Sequence, residues 1–111
     1  MQFQPKTAIR CRNEVELSVT LQMLEKADIC WHSGVKATNA DWLYGRNCGL
    51  LIYICPPTSY SNHNMYLDWD RMNDAINGGN SPGWTYVEAS DLFRNQLISM
   101  RRAKHENMVR Q

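Results

Sequence analysis

Apolar and polar positions change period several times along the chain, and each change predicts an element. Thr7–Cys11 alternates like a strand, with Ala8 and Arg10 on one side and Ile9 and Cys11 on the other. From Asn13 the period becomes helical. Asn13 is a capping residue and Glu16 follows three positions later, the spacing of a capping box, so a helix is expected over residues 14–27. At 100° per residue, Val15, Val19, Met23 and Ala27 form one stripe, and Leu17, Leu21 and Leu24 form a second beside it. An apolar arc this wide predicts burial on more than one side and makes the helix the organising element of the core.

Residues 29–34, Ile-Cys-Trp-His-Ser-Gly, read as a strand ending at a glycine turn. The stretch 35–47 is polar but carries Trp42, Leu43 and Tyr44. Residues 49–55 are the most apolar segment and predict a central strand, stopped by Pro56 and Pro57. Residues 58–64 have loop composition. Residues 65–76 read as a short strand passing into a short helix, ended by the Asn-Gly-Gly-Asn run 77–80. After the turn at 81–83, residues 84–88 alternate like a strand. Ser90 and Asp91 are expected to cap a last helix with Phe93, Leu97 and Met100 along one side. Beyond Met100 this helix turns basic and is expected to project. The sum is one α+β domain over residues 1–111. Its small mixed or antiparallel sheet, of about four strands, should pack on a central amphipathic helix.

Composition narrows the function without choosing it. Twelve Lys and Arg against eleven Asp and Glu leave a net charge of +1. Such a chain offers neither an acidic mimic of DNA nor an overall positive field for phosphates. The positive charge is uneven, with Arg101, Arg102, Lys104 and Arg110 gathered at the end. The opening residues lack the apolar stretch that export requires, and the run at 49–55 is far shorter than the roughly 20 residues that cross a bilayer. The expectation is a cytoplasmic protein with no membrane partner.

Four cysteines in that compartment are expected to be reduced thiols. Cys30-x-His32, Cys48, Cys55 and His63 are conceivable zinc ligands, but the close pairing of structural zinc sites is absent, so neither metal nor cofactor is expected. Asp68, Asp70 and Asp74 read as a solvated face. No phosphate loop, nucleophile elbow or HExxH helix is present. Cys30 with His32 leaves a small Cys/His enzyme as an alternative.

The aromatics are more suggestive. Trp31 and Trp84 read as strand residues facing the core. Trp42 and Tyr44 stand in the polar stretch beside Arg46, a grouping suited to a protein interface or a nucleotide pocket. Trp42, Tyr44, Arg46, Arg101, Arg102 and Lys104 are therefore the candidate binding residues.

The turn at 29–34, Ile-Cys-Trp-His-Ser-Gly, and the helix start at 87–93, Val-Glu-Ala-Ser-Asp-Leu-Phe, follow a strand–helix opening. In these features the chain resembles a loose group of small bacteriophage and prophage accessory proteins. The resemblance implies a phage-encoded protein that inhibits a host defence component, a CRISPR or other immune effector, by contact rather than catalysis. Its partner would be a host protein or protein–nucleic acid complex in the host cytoplasm, and self-association is compatible with it. Sequestration of a nucleotide signal is the alternative.

Overall fold

The structure is a computed structural model describing residues 2–45, 49–61, 63–72 and 83–109, with the side chains of Tyr60, Arg101 and residues 103–109 outside that description. Five strands form one mixed sheet: β1 (Thr7–Cys11), β2 (Cys30–Trp31), β3 (Leu50–Cys55), β4 (Tyr66–Arg71) and β5 (Thr85–Glu88), in the order β2-β4-β3-β1-β5. The helices are α1 (Glu14–Lys26), α2 (Ala89–Leu92) and α3 (Arg94–Val109). The α+β class and the single sheet agree with the sequence reading. The sheet has one strand more than the four expected.

Strand β3 runs antiparallel to both neighbours, with Ile9 opposite Ile52 on one side and Ile52 opposite Trp69 on the other. Strands β5 and β1 are parallel, as are β2 and β4. Helix α1 leaves β1 and returns to β2, two strands beyond β3, so it crosses over the middle of the sheet. That path accounts for its wide buried side.

The predicted capping box forms. Asn13 Oδ1 accepts the Glu16 N–H at 2.9 Å, and Glu16 Oε1 accepts the Arg12 N–H at 3.1 Å. Leu17, Val19, Thr20, Leu21 and Leu24 are buried, but Val15 is 46% exposed and Met23 only partly covered. The Leu stripe therefore carries the burial, and the outer end of the Val15 stripe does not.

At the other end α1 closes in a Schellman motif. The Ile29 N–H bonds Leu24 O at 3.1 Å and the Asp28 N–H bonds Glu25 O at 3.0 Å, with Asp28 left-handed at φ 60°. Glycine is the usual residue at this position.

Parity along the strands decides what each sheet face carries. Ile9, Cys11, Leu50, Ile52, Ile54, Leu67, Trp31 and Val87 face the helices and meet Phe93, Leu97 and Ala89 in one core. Ala8, Arg10, Leu51, Tyr53, Tyr66, Asp68, Asp70, Tyr86 and Glu88 occupy the opposite face.

Several expectations need correction. The strand at 29–34 spans only Cys30–Trp31, because the Trp31 N–H turns to Val35 O at 2.9 Å and the Gly34 N–H turns to Trp31 O at 2.8 Å. His32 therefore lies in a turn, not beside Cys30 on an extended strand. Residues 66–71 form a strand throughout, and the helix expected to follow lies outside the described residues. Ser90 and Asp91 do not cap: they lie inside α2, which Glu88 precedes without a side-chain bond. Phe93 separates α2 from α3. Met100 is 39% exposed, so the packed side of α3 ends at Leu97. Trp84 belongs to the face away from the helices, where it is half-buried.

Candidate functional site

Two features on the β2 side of the molecule gather groups able to recognise something: an aromatic turn and the cleft beside it. The aromatic turn is built on residues 35–45. Ala37, Ala40 and Leu43 are buried and root it in the core, while a short 3-10 turn over Asp41–Leu43 lifts Trp42 between the last two. Both ends are bonded to α1. Thr38 Oγ1 donates to Glu25 Oε1 at 2.6 Å, and the Gly45 N–H donates to Glu14 Oε1 at 2.8 Å. Glu14 and Glu25 stand three helical turns apart on one side of α1, so the segment is held along the helix rather than at one point.

Beneath lies Trp31, itself only 6% exposed, whose indole Nε1 donates to Ala37 O at 3.0 Å. Its ring meets that of Trp42 at 5.6 Å, tilted by 58°. Trp42 is nonetheless 48% exposed and Tyr44 36%. These are large aromatic surfaces left in water on a segment that is otherwise fixed.

The other sequence candidates lie elsewhere. Arg46 falls outside the described residues. Arg101, Arg102 and Lys104 stand in α3, of which Arg102 is exposed. Helix α3 packs along Val19, Gln22, Met23 and Lys26, a different side of α1 from Glu14 and Glu25. The structure thus exposes Trp42 and Tyr44 on one turn, and the part of α3 before its basic end lies along another side of α1.

The cleft lies between the turn after β2 and the 58–66 segment, with a volume of about 320 Å³. Asp28, Cys30, His32, Ser33, Asn64 and Tyr66 line it. Its outer wall is stiffened by Ser61. That hydroxyl accepts the Thr58 N–H at 2.9 Å and donates towards Thr58 O at 3.0 Å or Asn64 O at 2.7 Å. The His32 and Tyr66 rings meet edge-on at 5.1 Å and form an aromatic wall.

Thiol chemistry differs by position. Burial pushes Cys11 up to about 12, against a weaker opposing effect of Thr20. Burial likewise pushes Cys55 up to about 11, with Asp68 adding to it and a hydrogen bond with Tyr66 lowering it. The neighbouring Cys55 also raises Tyr66. Both thiols are therefore protonated near neutrality. Cys30 and His32 share no hydrogen bond. No group of three metal-ligating side chains occurs among the described residues. None of their helices is long and apolar enough to cross a membrane.

Sequence reasoning singled out Cys30 and His32 but missed Asp28, Ser33, Asn64 and Tyr66. The available signals were an Asp where a helix exit favours Gly, and a Ser/Asn-rich loop facing it. No family model matches the chain, and no curated protein or solved structure matches it significantly.

Proposed function

We propose that the chain is a non-catalytic binding protein that docks on a macromolecular partner through the Trp42–Tyr44 turn. One observation carries this reading: two aromatic side chains are substantially exposed on a segment bonded to α1 at both ends and rooted by buried Leu43. A rigid aromatic projection loses little conformational freedom on binding, which is why Trp and Tyr dominate interface energetics. Cys11 and Cys55 are held as neutral thiols, and Cys30 has no bonded base, so nucleophilic chemistry has less support.

The partner class follows from the sequence resemblance, a host defence protein or its nucleic-acid complex, whose activity docking would block. The basic end of α3 would add charge steering to that contact.

Affinity capture from host lysate tests this with wild type, Trp42→Ala and Arg102→Glu side by side. Trp42→Ala is expected to melt close to wild type yet lose at least nine-tenths of the captured partner, roughly the tenfold that 1.4 kcal/mol represents. A folded Trp42→Ala chain that retains the partner in full would refute the aromatic surface, and a wild type that captures nothing would refute docking altogether.

A further inference from the structure

The cleft beside β2 is not used by the docking reading, and its chemistry is specific. Among the described residues, the side chains of Asp28, Ser33 and Asn64 make no hydrogen bond or ion pair, and His32 makes only its ring contact with Tyr66. All four residues are exposed, so these polar groups converge on one solvated space where a ligand would take the place of water. Asp28 adds a second observation. It occupies the left-handed C′ position of the α1 Schellman motif, where glycine is the usual residue, and so sets a carboxylate in the cleft wall. His63, at φ 61° beside the opposite wall, is likewise left-handed without being glycine. Lys6, outside the cleft lining, is left-handed as well, so what Asp28 contributes is the position of its carboxylate rather than backbone strain.

Charge selects the ligand class. Among the lining residues Asp28 bears the only carboxylate and no Lys or Arg is present. A phosphate would meet a like charge with no counter-charge. An ammonium would meet Asp28, the ring faces at His32 and Tyr66, and hydroxyl and amide acceptors at Ser33 and Asn64. A volume of about 320 Å³ lies at the small end of the ligand-cavity range.

We propose that this cleft binds a small organic cation, a primary amine or guanidine of a few carbon atoms, with Asp28 as its counter-ion and the His32–Tyr66 pair as its aromatic wall. The site adjoins the Trp42 surface, since Trp31 lines the cleft and meets the Trp42 ring at 5.6 Å, but Trp42 itself is not part of its lining. It also runs against nucleotide capture at this place, because no Lys or Arg lines the cleft to offset the like charge of Asp28.

The test is titration of the full chain with benzylamine, agmatine and putrescine, followed by calorimetry or amide chemical shifts, with AMP and citrate as anionic controls. At least one amine is expected to saturate at a Kd of about 1 mM or tighter. Saturation should slow iodoacetamide alkylation of Cys30, which lines the cleft, in proportion to occupancy. Asp28→Asn keeps a residue tolerant of the left-handed conformation and is expected to weaken that amine about tenfold or more. Tyr44→Ala, at an exposed residue that neither lines the cleft nor meets Trp31, should leave the Kd unchanged, which separates this site from the docking surface. The proposal is overturned if no amine saturates below about 10 mM, if a folded Asp28→Asn chain binds as tightly as wild type, or if AMP or citrate competes for the same site. Should Asp28→Asn fail to fold, Cys30 protection in wild type decides alone, its absence at saturating amine counting against the site.

Discussion

The two faces of the sheet are made from the same five strands and differ in almost everything else. The helix-covered face is aliphatic: Ile9, Ile52, Ile54 and Leu67 are at most 1% exposed and close on Phe93. The opposite face sets Arg10, Asp68, Asp70 and Glu88 among tyrosines. Its two fully buried residues, Ala8 and Leu51, pack against Tyr53, Met72, Trp84 and Tyr86. Tyr53 on β3 and Trp84 before β5 meet edge-on at 5.4 Å although β1 lies between them, so the pair passes over β1 where Ala8 offers only a methyl. Arg10 lies over the Tyr86 ring at 5.2 Å. Strand alternation therefore produces two kinds of burial. One is dry and aliphatic under the helices. The other is an aromatic layer that keeps its charges at the rim.

Mutations should expose that asymmetry. The largest effect is expected on the helix side, where Phe93→Ala empties a fully buried site and should cost about 3–5 kcal/mol in chemical denaturation. A loss below 1 kcal/mol would mean that the helix layer is not the principal core.

Next comes alkaline stability, to which Cys11 on the same face and Cys55, pushed up to about 11, both contribute. The folded Cys11 pKa of about 12 exceeds that of an unfolded thiol near 9. A raised pKa gives stability that is complete below the unfolded value and is lost as pH climbs from about 9 towards 12. Each thiol should add a slope approaching roughly 1.4 kcal/mol per pH unit, Cys55 up to about pH 11 and Cys11 up to about pH 12. Cys11→Ala should remove its share of that slope and leave the Cys55 share, measured by urea unfolding across the pH range. An unchanged slope would assign the alkaline loss to other groups.

On the opposite face, Trp84→Ala removes a half-buried ring and one aromatic pair, and should cost about 1–2 kcal/mol. A cost equal to that of Phe93→Ala would erase the distinction between the faces. The smallest effect concerns Glu88, which accepts from Arg12 Nε at 3.2 Å and lies 4.0 Å from Arg10 at the exposed rim. Glu88→Gln should move the melting temperature by about 2 °C or less at physiological salt. A larger shift would show that the rim charges act as a coupled network.

Much of the fold was legible because local signals and long-range contacts agreed. The Asn13–Glu16 cap, the Leu17–Leu21–Leu24 stripe and the apolar run at 49–55 each state their structure within a dozen residues. The readings that failed were those where a tertiary bond overrode local alternation. Cys30–Trp31 stops short because Val35 and Gly34 fold back on Trp31, and Trp84 left the core because parallel pairing of β5 with β1 set its side.

The site was half legible. Trp42 and Tyr44 stood out as aromatics in a polar stretch, whereas the cleft joins residues more than 30 positions apart. Asp28 and Tyr66 become neighbours only because β2 pairs with β4.

By itself, then, the sequence determined the class of the domain, its main helix, its central strand and the aromatic character of its exposed turn. Those properties depend on side-chain period and capping chemistry, which act over one or two turns of chain. Only the tertiary structure decided which sheet face is dry, that Trp84 leaves the core, and that a lone carboxylate shares a cleft with His32 and Tyr66. Each of these follows from strand order, and strand order is set by packing between segments distant in sequence.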